Sequence, residues 1–280
     1  MLHDIADILR CPHCQASLDH DAGRRVLRCA AGRHTFDIAR QGYAGLLAGD
    51  ANTGTADTAA MVAARDAFLG AGHYRPIADA LAAHAADTTA PGVIVDVGAG
   101  TGHYLAHALE AAPGRLGLAL DISKYALRRA AKAHPRAAAA SCDAWQPLPV
   151  RDGTAALVLN VFAPRNPAEL RRVLHPQGRL VVVTPTVRHL AELVTVLDLL
   201  SVDDDKKARL DAALGPYFTP LDARSVAFRM TLGHADAASV VAMGPSAWHT
   251  DPETVRGRIA ALPAPLHVGA EVTVSAYAPR

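Results

Sequence analysis

The sequence predicts an α/β protein with a mostly parallel sheet of seven strands, preceded by a small metal-binding module, and three observations carry that prediction. From residue 91 onward, short continuous apolar runs alternate with helical patterns, as strands do when crossover helices bury both faces of a sheet. A glycine series, Gly98-x-Gly100-x-Gly102, sits between the first such run and the helix that follows it. Near the N-terminus Cys11, Cys14, Cys29 and His34 occur in an order that can close around a metal ion.

In chain order the metal module comes first. Cys11-x2-Cys14 followed by Cys29-x4-His34 matches the ligand spacing of a closed, structural Cys3His zinc shell. His13 and His20 are rival donors and rank below His34. Val26 to Arg28 and His34 to Ile38 read as short strands around the cysteine loops, in a knuckle whose folding free energy comes from the metal. Ala48 to Thr58 is made of Gly, Ala, Thr, Asp and Asn and has almost nothing to bury, so it reads as a linker. From Thr58 to about Ala86 apolar residues recur at helical spacing, and Gly70 to Tyr74 divides two helices. The organisation expected is therefore a metal module over 1–47, a linker and helical segment over 48–90, and an α/β domain over 91–280.

Within that domain the strands are Val93 to Val97, Leu116 to Leu120, Ala137 to Ser141, Ala155 to Val161 and Arg179 to Thr184. Helices fall at His103 to Ala111, Ser123 to Ala133 with a Ser N-cap, Pro167 to Val173 and Val187 to Leu200. Ser225 to Leu232 and Glu271 to Tyr277 supply the last two strands as an antiparallel edge pair, with a helix near Ala235 to Met243 between them.

The glycine series follows a buried strand and opens a helix, where backbone can approach a ligand at the helix N-terminus. A dinucleotide fingerprint would place its third glycine one position later, where this chain has His103, so the spacing disfavours a nicotinamide cofactor. Asp121 ends the next strand and can accept both hydroxyls of a ribose. Asp96 can orient the loop or meet a cationic part of the ligand. These features together resemble the S-adenosylmethionine loop of class I methyltransferases. That resemblance implies that Asp143, after the third strand, meets the adenine amino group, and that Asn160, at the tip of the fourth, lies where the target nucleophile arrives.

Over nearly its whole length the sequence also resembles the 23S rRNA guanine-N1 methyltransferases of the RlmA type. The matching stretches include Leu9 to Cys14, His34 to Tyr43, Ala71 to Tyr74, the glycine loop and Asn160 to Arg165. Thr184-Pro185 with His189-Leu190, and Ala242 to Pro245 with Trp248-His249, look especially like the actinobacterial branch that includes a tylosin-resistance enzyme. The resemblance implies that Cys11, Cys14, Cys29 and His34 bind zinc in an RNA-recognition domain. It further implies that Tyr74, Gly98, Gly100, Gly102, Tyr104, Leu105 and His189 line the cofactor pocket. A homodimer and a hairpin loop in domain II of 23S rRNA are implied as partners. The Cys29 to His34 interval is one residue longer than the family pattern, and the residue at the Asn160 position varies between branches.

Methylation of guanine N1 would require an aromatic platform and a proton acceptor near the fourth strand tip. Phe162 and Trp248 are candidates for stacking; His73, Asp143, Asn160 or water are candidates for the catalytic role. Arg24, Arg25, Arg28 and Arg33 form one candidate RNA patch, and Arg171, Arg172 and Arg179 another. Net charge of only +1 argues against coating nucleic acid by bulk electrostatics. Three of four cysteines are used by the metal module, which points to a reducing compartment, and neither a signal peptide nor a membrane-spanning run is visible, so a cytoplasmic location is expected. Two other functions fit part of the pattern: methylation of a small natural product, and a non-catalytic zinc-dependent RNA-binding protein.

Overall fold

The computed structural model describes residues 2–47, 54, 56–200 and 206–280. Most of the expected linker, 48–53 and 55, lies outside the described residues. A three-stranded antiparallel sheet, β1 (Leu18–Asp21), β2 (Val26–Cys29) and β3 (Thr35–Asp37), forms the N-terminal module behind a 3-10 turn at Leu2–Ile8. Two helices follow, α1 (Ala59–Gly70) and α2 (Arg75–Ala86). The Thr58 hydroxyl accepts from Met61 N–H at 3.2 Å and so fixes the start of α1.

The large sheet has eight strands rather than seven. Its parallel part uses β5 (Val93–Val97), β6 (Gly117–Asp121), β7 (Ala137–Ser141), β8 (Ala155–Val161) and β9 (Leu174–Pro185), each close to its expected range. The eighth strand is β4 (Tyr43–Ala44), two residues at the end of the metal module that pair in parallel with Ala139 and Ala140 of β7. On the far side β10 (Phe218–Leu232) and β11 (Leu266–Pro279) form the expected antiparallel edge. The order across the sheet is β10-β11-β9-β8-β5-β6-β7-β4. Strand order reverses about β5, and ligands of open α/β sheets bind at that point, off the carboxyl ends of the strands.

Four crossover helices match expectation: α3 (His103–Ala111), α4 (Lys124–Ala130), α5 (Pro167–Val173) and α6 (Ala191–Leu197). Asn166 and Ser123 cap α5 and α4, with Pro167 at the first position of α5, where its missing N–H costs nothing. The sequence reading did not include α7 (Lys206–Leu214) or α9 (Pro252–Ala260); α8 (His234–Ala242) lies where a helix was expected.

The metal module is docked rather than appended. Leu2, Ile5, Leu9, Leu18, Leu27 and Phe36 share one buried cluster with Leu118, Ala140, Leu148 and Val150 of the α/β domain. Leu9 bridges to Val150, and Arg10 pairs with Asp152 at 2.7 Å. The all-alanine face of β7, fully buried, leaves the room that β4 needs.

Candidate cofactor cleft and metal centre

At the carboxyl ends of β5, β6 and β8 lies a cleft of about 590 Å³. Its floor is the loop of Gly98, Ala99 and Gly100; Asp121, Ile122, Cys142 and Asp143 form one wall and Val161 to Pro164 the other. Gly98 has φ +79°, and a Cβ there would stand 2.3 Å from the Ala163 Cβ, so only glycine allows the two loops to pass. One Asp121 carboxylate oxygen accepts from Gly100 N–H and the other from Ser123 N–H, each at 2.8 Å. The residue that could hold a ribose thus also sets the curvature of the loop. Asp143 accepts from Trp145 N–H through one oxygen at 2.9 Å.

Asp96 lies behind the loop, about 1% exposed, and neither carboxylate oxygen has a hydrogen-bond donor among the described residues. Burial first, and the neighbouring Asp121 charge second, push its pKa up to about 8. A buried acid without a donor beside a glycine cradle fits a ligand that brings positive charge. Because the folded state holds this proton and the unfolded chain releases it near pH 4, stability from this group falls as pH rises from about 4 to about 8. In the ligand-free protein, Asp96→Asn is expected to flatten the decline of the thermal midpoint across that window; a wild-type slope in the variant would refute the assignment.

The remaining candidates divide. Tyr74, Tyr104 and His189 border the cleft, and the Tyr74 hydroxyl lies 3.0 Å from His189 Nε2. Burial raises the Tyr74 pKa, which keeps the phenol neutral. Four of these expected site residues stand outside the cleft lining. Asn160 is fully buried: its amide donates to the carbonyls of Val97 (3.1 Å) and Pro164 (2.9 Å), and its oxygen accepts from Arg165 Nε, so it braces the loop from behind the cleft lining. His73 packs against Phe68 and stands 3.4 Å from Asp236 on α8, outside the cleft lining. Gly102 and Leu105 also lie outside the lining: a Cβ on Gly102 would meet Ala130 and Ala133 at 3.0 Å, and Leu105 is wholly in the core. Of the three catalytic candidates only Asp143 borders the cavity.

Phe162 and Trp248 border the cleft and are 42% and 45% exposed. Phe162 sits at φ +54°, a left-handed conformation that a bulky residue adopts at a cost of about 1–2 kcal/mol. Its ring lies 6.3 Å from Tyr74 and 5.7 Å from His189. The sequence reading missed Trp145, 63% exposed on the same rim. The available signal was that the chain has only two tryptophans, and both stand at this cleft. Also missed was Arg65 of α1, which pairs with Asp57 and donates to the Met243 carbonyl at 2.8 Å, joining the two segments that wall the opening.

In the N-terminal module one donor atom from each of Cys11, Cys14, Cys29 and His34 converges within 4.8 Å. Cys11 Sγ is 3.3 Å from His34 Nδ1, and Cys14 Sγ is 3.3 Å from Cys29 Sγ. Tetrahedral zinc with Zn–S of about 2.3 Å needs separations of about 3.8 Å, so the set fits with small adjustment. The Ala16 N–H and the Cys29 thiol pull the Cys14 pKa down to about 6, the direction a metal ligand needs. The extra residue between Cys29 and His34 is absorbed in their turn, where Gly32 at φ +73° donates to the Cys29 carbonyl. His13 lies against the His34 and Phe36 rings, and His20 is on β1, so neither joins the donor set.

The positive patches also separate. Arg24, Arg25, Arg28 and Arg33 are exposed on the module. Arg172 is bound to Glu169, Asp152 and the carbonyls of Leu148 and Val150, and Arg179 contacts His84 at 3.3 Å; both hold structure together.

Residues 9–50 match the family model for the RlmA N-terminal zinc ribbon, and residues 94–178 match a methyltransferase domain model. The 23S rRNA (guanine(748)-N(1))-methyltransferase of Streptomyces fradiae is 50% identical over 282 residues, covering all of this chain and 99% of that protein. A protein of Micromonospora griseorubida whose name gives the guanine-N(1) reaction on 23S rRNA is 50% identical over 294 residues, with 99% of each chain covered. Among solved structures, the YcgJ protein of Bacillus subtilis superposes with a TM-score of 0.50 at 13% identity, covering 74% of this chain and 99% of that one. With a zinc ribbon and a methyltransferase domain aligned end to end with such relatives, the chain belongs to the 23S rRNA (guanine-N1)-methyltransferase family.

Proposed function

We propose that this protein methylates N1 of a loop guanine in domain II of 23S rRNA, of the guanine-748 type, using S-adenosylmethionine, and that the mark protects the ribosome against tylosin-type macrolides. The observation that carries this reading is 50% identity to the Streptomyces fradiae enzyme across ribbon and cleft alike. A homodimer working in the cytoplasm belongs to the same reading. Among the described residues no helix is long and apolar enough to cross a membrane.

When bound, S-adenosylmethionine would supply an electrophilic methyl group and leave as S-adenosylhomocysteine, its S–C bond breaking as the N1–C bond forms and the N1 proton passing to water. The chain's own residues provide position. Gly98 and Gly100 admit the cofactor to the backbone, Asp121 takes the ribose hydroxyls, Asp143 takes the adenine amino group, and Tyr74, Tyr104 and His189 close the methionine end. Asp96, protonated in the ligand-free protein, would release its proton to balance the cofactor's positive charge from behind the loop. N1 is hidden in a base pair, so the substrate is an unpaired guanine, held against the exposed rings at the rim.

Phe162 stands between the Tyr74–His189 pair and solvent and is the platform for that base. Phe162→Ala should lower kcat/KM for rRNA about 10- to 100-fold, the value of one base stack, with cofactor affinity nearly unchanged. Equal loss of both would place Phe162 in cofactor binding alone. The function itself is tested by incubating the protein with methyl-labelled S-adenosylmethionine and unmodified 23S rRNA. Label in the RNA is expected; label only in small molecules from the producing cell would reject rRNA as substrate.

A further inference from the structure

Residues 123–136, Ser-Lys-Tyr-Ala-Leu-Arg-Arg-Ala-Ala-Lys-Ala-His-Pro-Arg, hold five cations and no carboxylate in a chain whose net charge is only +1. Two of the five have structural roles. Arg129 pairs with Asp66 of α1 at 3.2 Å, and Arg136 donates to the carbonyls of Leu109, Ala112 and Arg115 at the end of α3. The other three, Lys124, Arg128 and Lys132, recur at every fourth residue, which sets them on one side of α4 and the turn that continues it. All three are exposed. Among the described residues none has a carboxylate at ion-pair distance; Lys124 and Arg128 instead lie 5.3 and 5.4 Å from the centre of the Tyr125 ring.

This stripe does not serve the helix. Like charges four residues apart repel, and Lys124 occupies the first helical position, where the helix dipole already places positive charge. Its placement does suit a long anion. One end of α4 starts at Ser123, whose N–H is held by Asp121 on the wall of the cleft. The other end meets the zinc ribbon: a Cβ on Gly42 would stand 3.9 Å from that of Ala131. The same ribbon turn carries exposed Arg40, and Arg25 donates to its Ala39 carbonyl at 3.0 Å. The helix that carries the stripe thus touches the cleft wall at one end and the ribbon at the other, which makes it a track between them.

We infer that Lys124, Arg128 and Lys132 hold the phosphate backbone of the RNA substrate between its contact on the ribbon and its guanine in the cleft. The inference rests on the rRNA reading above. Each phosphate contact contributes about 0.7–0.9 to the slope of log affinity against log salt. The variant Lys124→Gln, Arg128→Gln, Lys132→Gln should therefore bind a 23S rRNA domain II fragment with a slope lower by about 2 and with affinity reduced at least about tenfold at moderate salt. Its affinity for S-adenosylmethionine, read by calorimetry, should equal wild type and certifies the fold. Lys207→Gln on α7 should leave the salt slope unchanged. If wild type methylates the fragment and the triple variant keeps the wild-type slope and KM for RNA, the stripe is not the track and the enzymatic reading survives. If wild type transfers no methyl group to rRNA, both fall.

Discussion

Asp121→Ala is expected to lower affinity for S-adenosylmethionine at least about 100-fold, because it removes hydrogen bonds to a charged acceptor worth about 1.5–3 kcal/mol each. Two of those bonds exist before any ligand arrives, from Gly100 N–H and Ser123 N–H. Their loss frees the glycine loop and the start of α4 together, so the variant forfeits the shape of the cradle as well as its proposed grip on the ribose. Asp121→Asn keeps one acceptor oxygen and should fall between the two. Calorimetric titration measures both; a dissociation constant within a few-fold of wild type in the alanine variant would contradict the placement of the cofactor over this loop.

Removal of zinc is the second large effect. The protein should contain one zinc per chain, and a strong chelator or Cys29→Ala should lower the thermal midpoint by about 10 °C or more, as loss of 3–5 kcal/mol would. The cost should not be confined to the ribbon. Leu9, Leu27 and Phe36 share a buried cluster with Leu118, Ala140 and Val150, and β4 is hydrogen-bonded into the large sheet. A loosened ribbon therefore exposes one face of the α/β domain, and rRNA affinity should fall together with stability. Zinc content by elemental analysis and differential scanning calorimetry check this; an unchanged midpoint after complete removal of the metal would show that the donor cluster does not hold the module.

The parts of the fold that were readable from sequence are those in which local chemistry and tertiary burial agree. Val93–Val97 and Ala155–Val161 are continuous apolar runs because both faces are covered, and Ser123 and Asn166 announce helix starts that their side chains do cap. The metal donors were readable because thiolate and imidazole spacing is fixed by the ion. Elements sustained by their neighbours gave no such signal. β4 is two residues long, too short for any periodicity, and exists because β7 offers an open edge of small side chains. β10 begins at Phe218, seven residues before its expected start at Ser225, and its first half carries Pro220, Asp222 and Arg224 on exposed positions that look like loop.

The site shows the same division. Gly98, Asp121 and Asp143 follow from chain order along the strands, since successive strand ends must meet at one edge of a parallel sheet. His73 and Tyr74 are adjacent in sequence but diverge at the start of α2, so that one reaches Asp236 and the other the cleft. Asn160 stands at the expected strand end, yet main-chain carbonyls on both sides claim its amide. Trp145 and Arg65 belong to no motif and reach the opening only through the packing of whole segments.

The central claim is that a ribbon-guided RNA presents guanine N1 to the methyl group above the Gly98 loop. Primer extension across domain II of 23S rRNA tests it most directly, because a methyl group on N1 blocks Watson–Crick pairing and halts reverse transcription. After incubation with the protein and S-adenosylmethionine, one new stop beside a single loop guanine is the expected result, absent when Asp121→Ala replaces the wild type. Methyl label incorporated into the RNA with no new stop would place the modification on another atom and contradict the account.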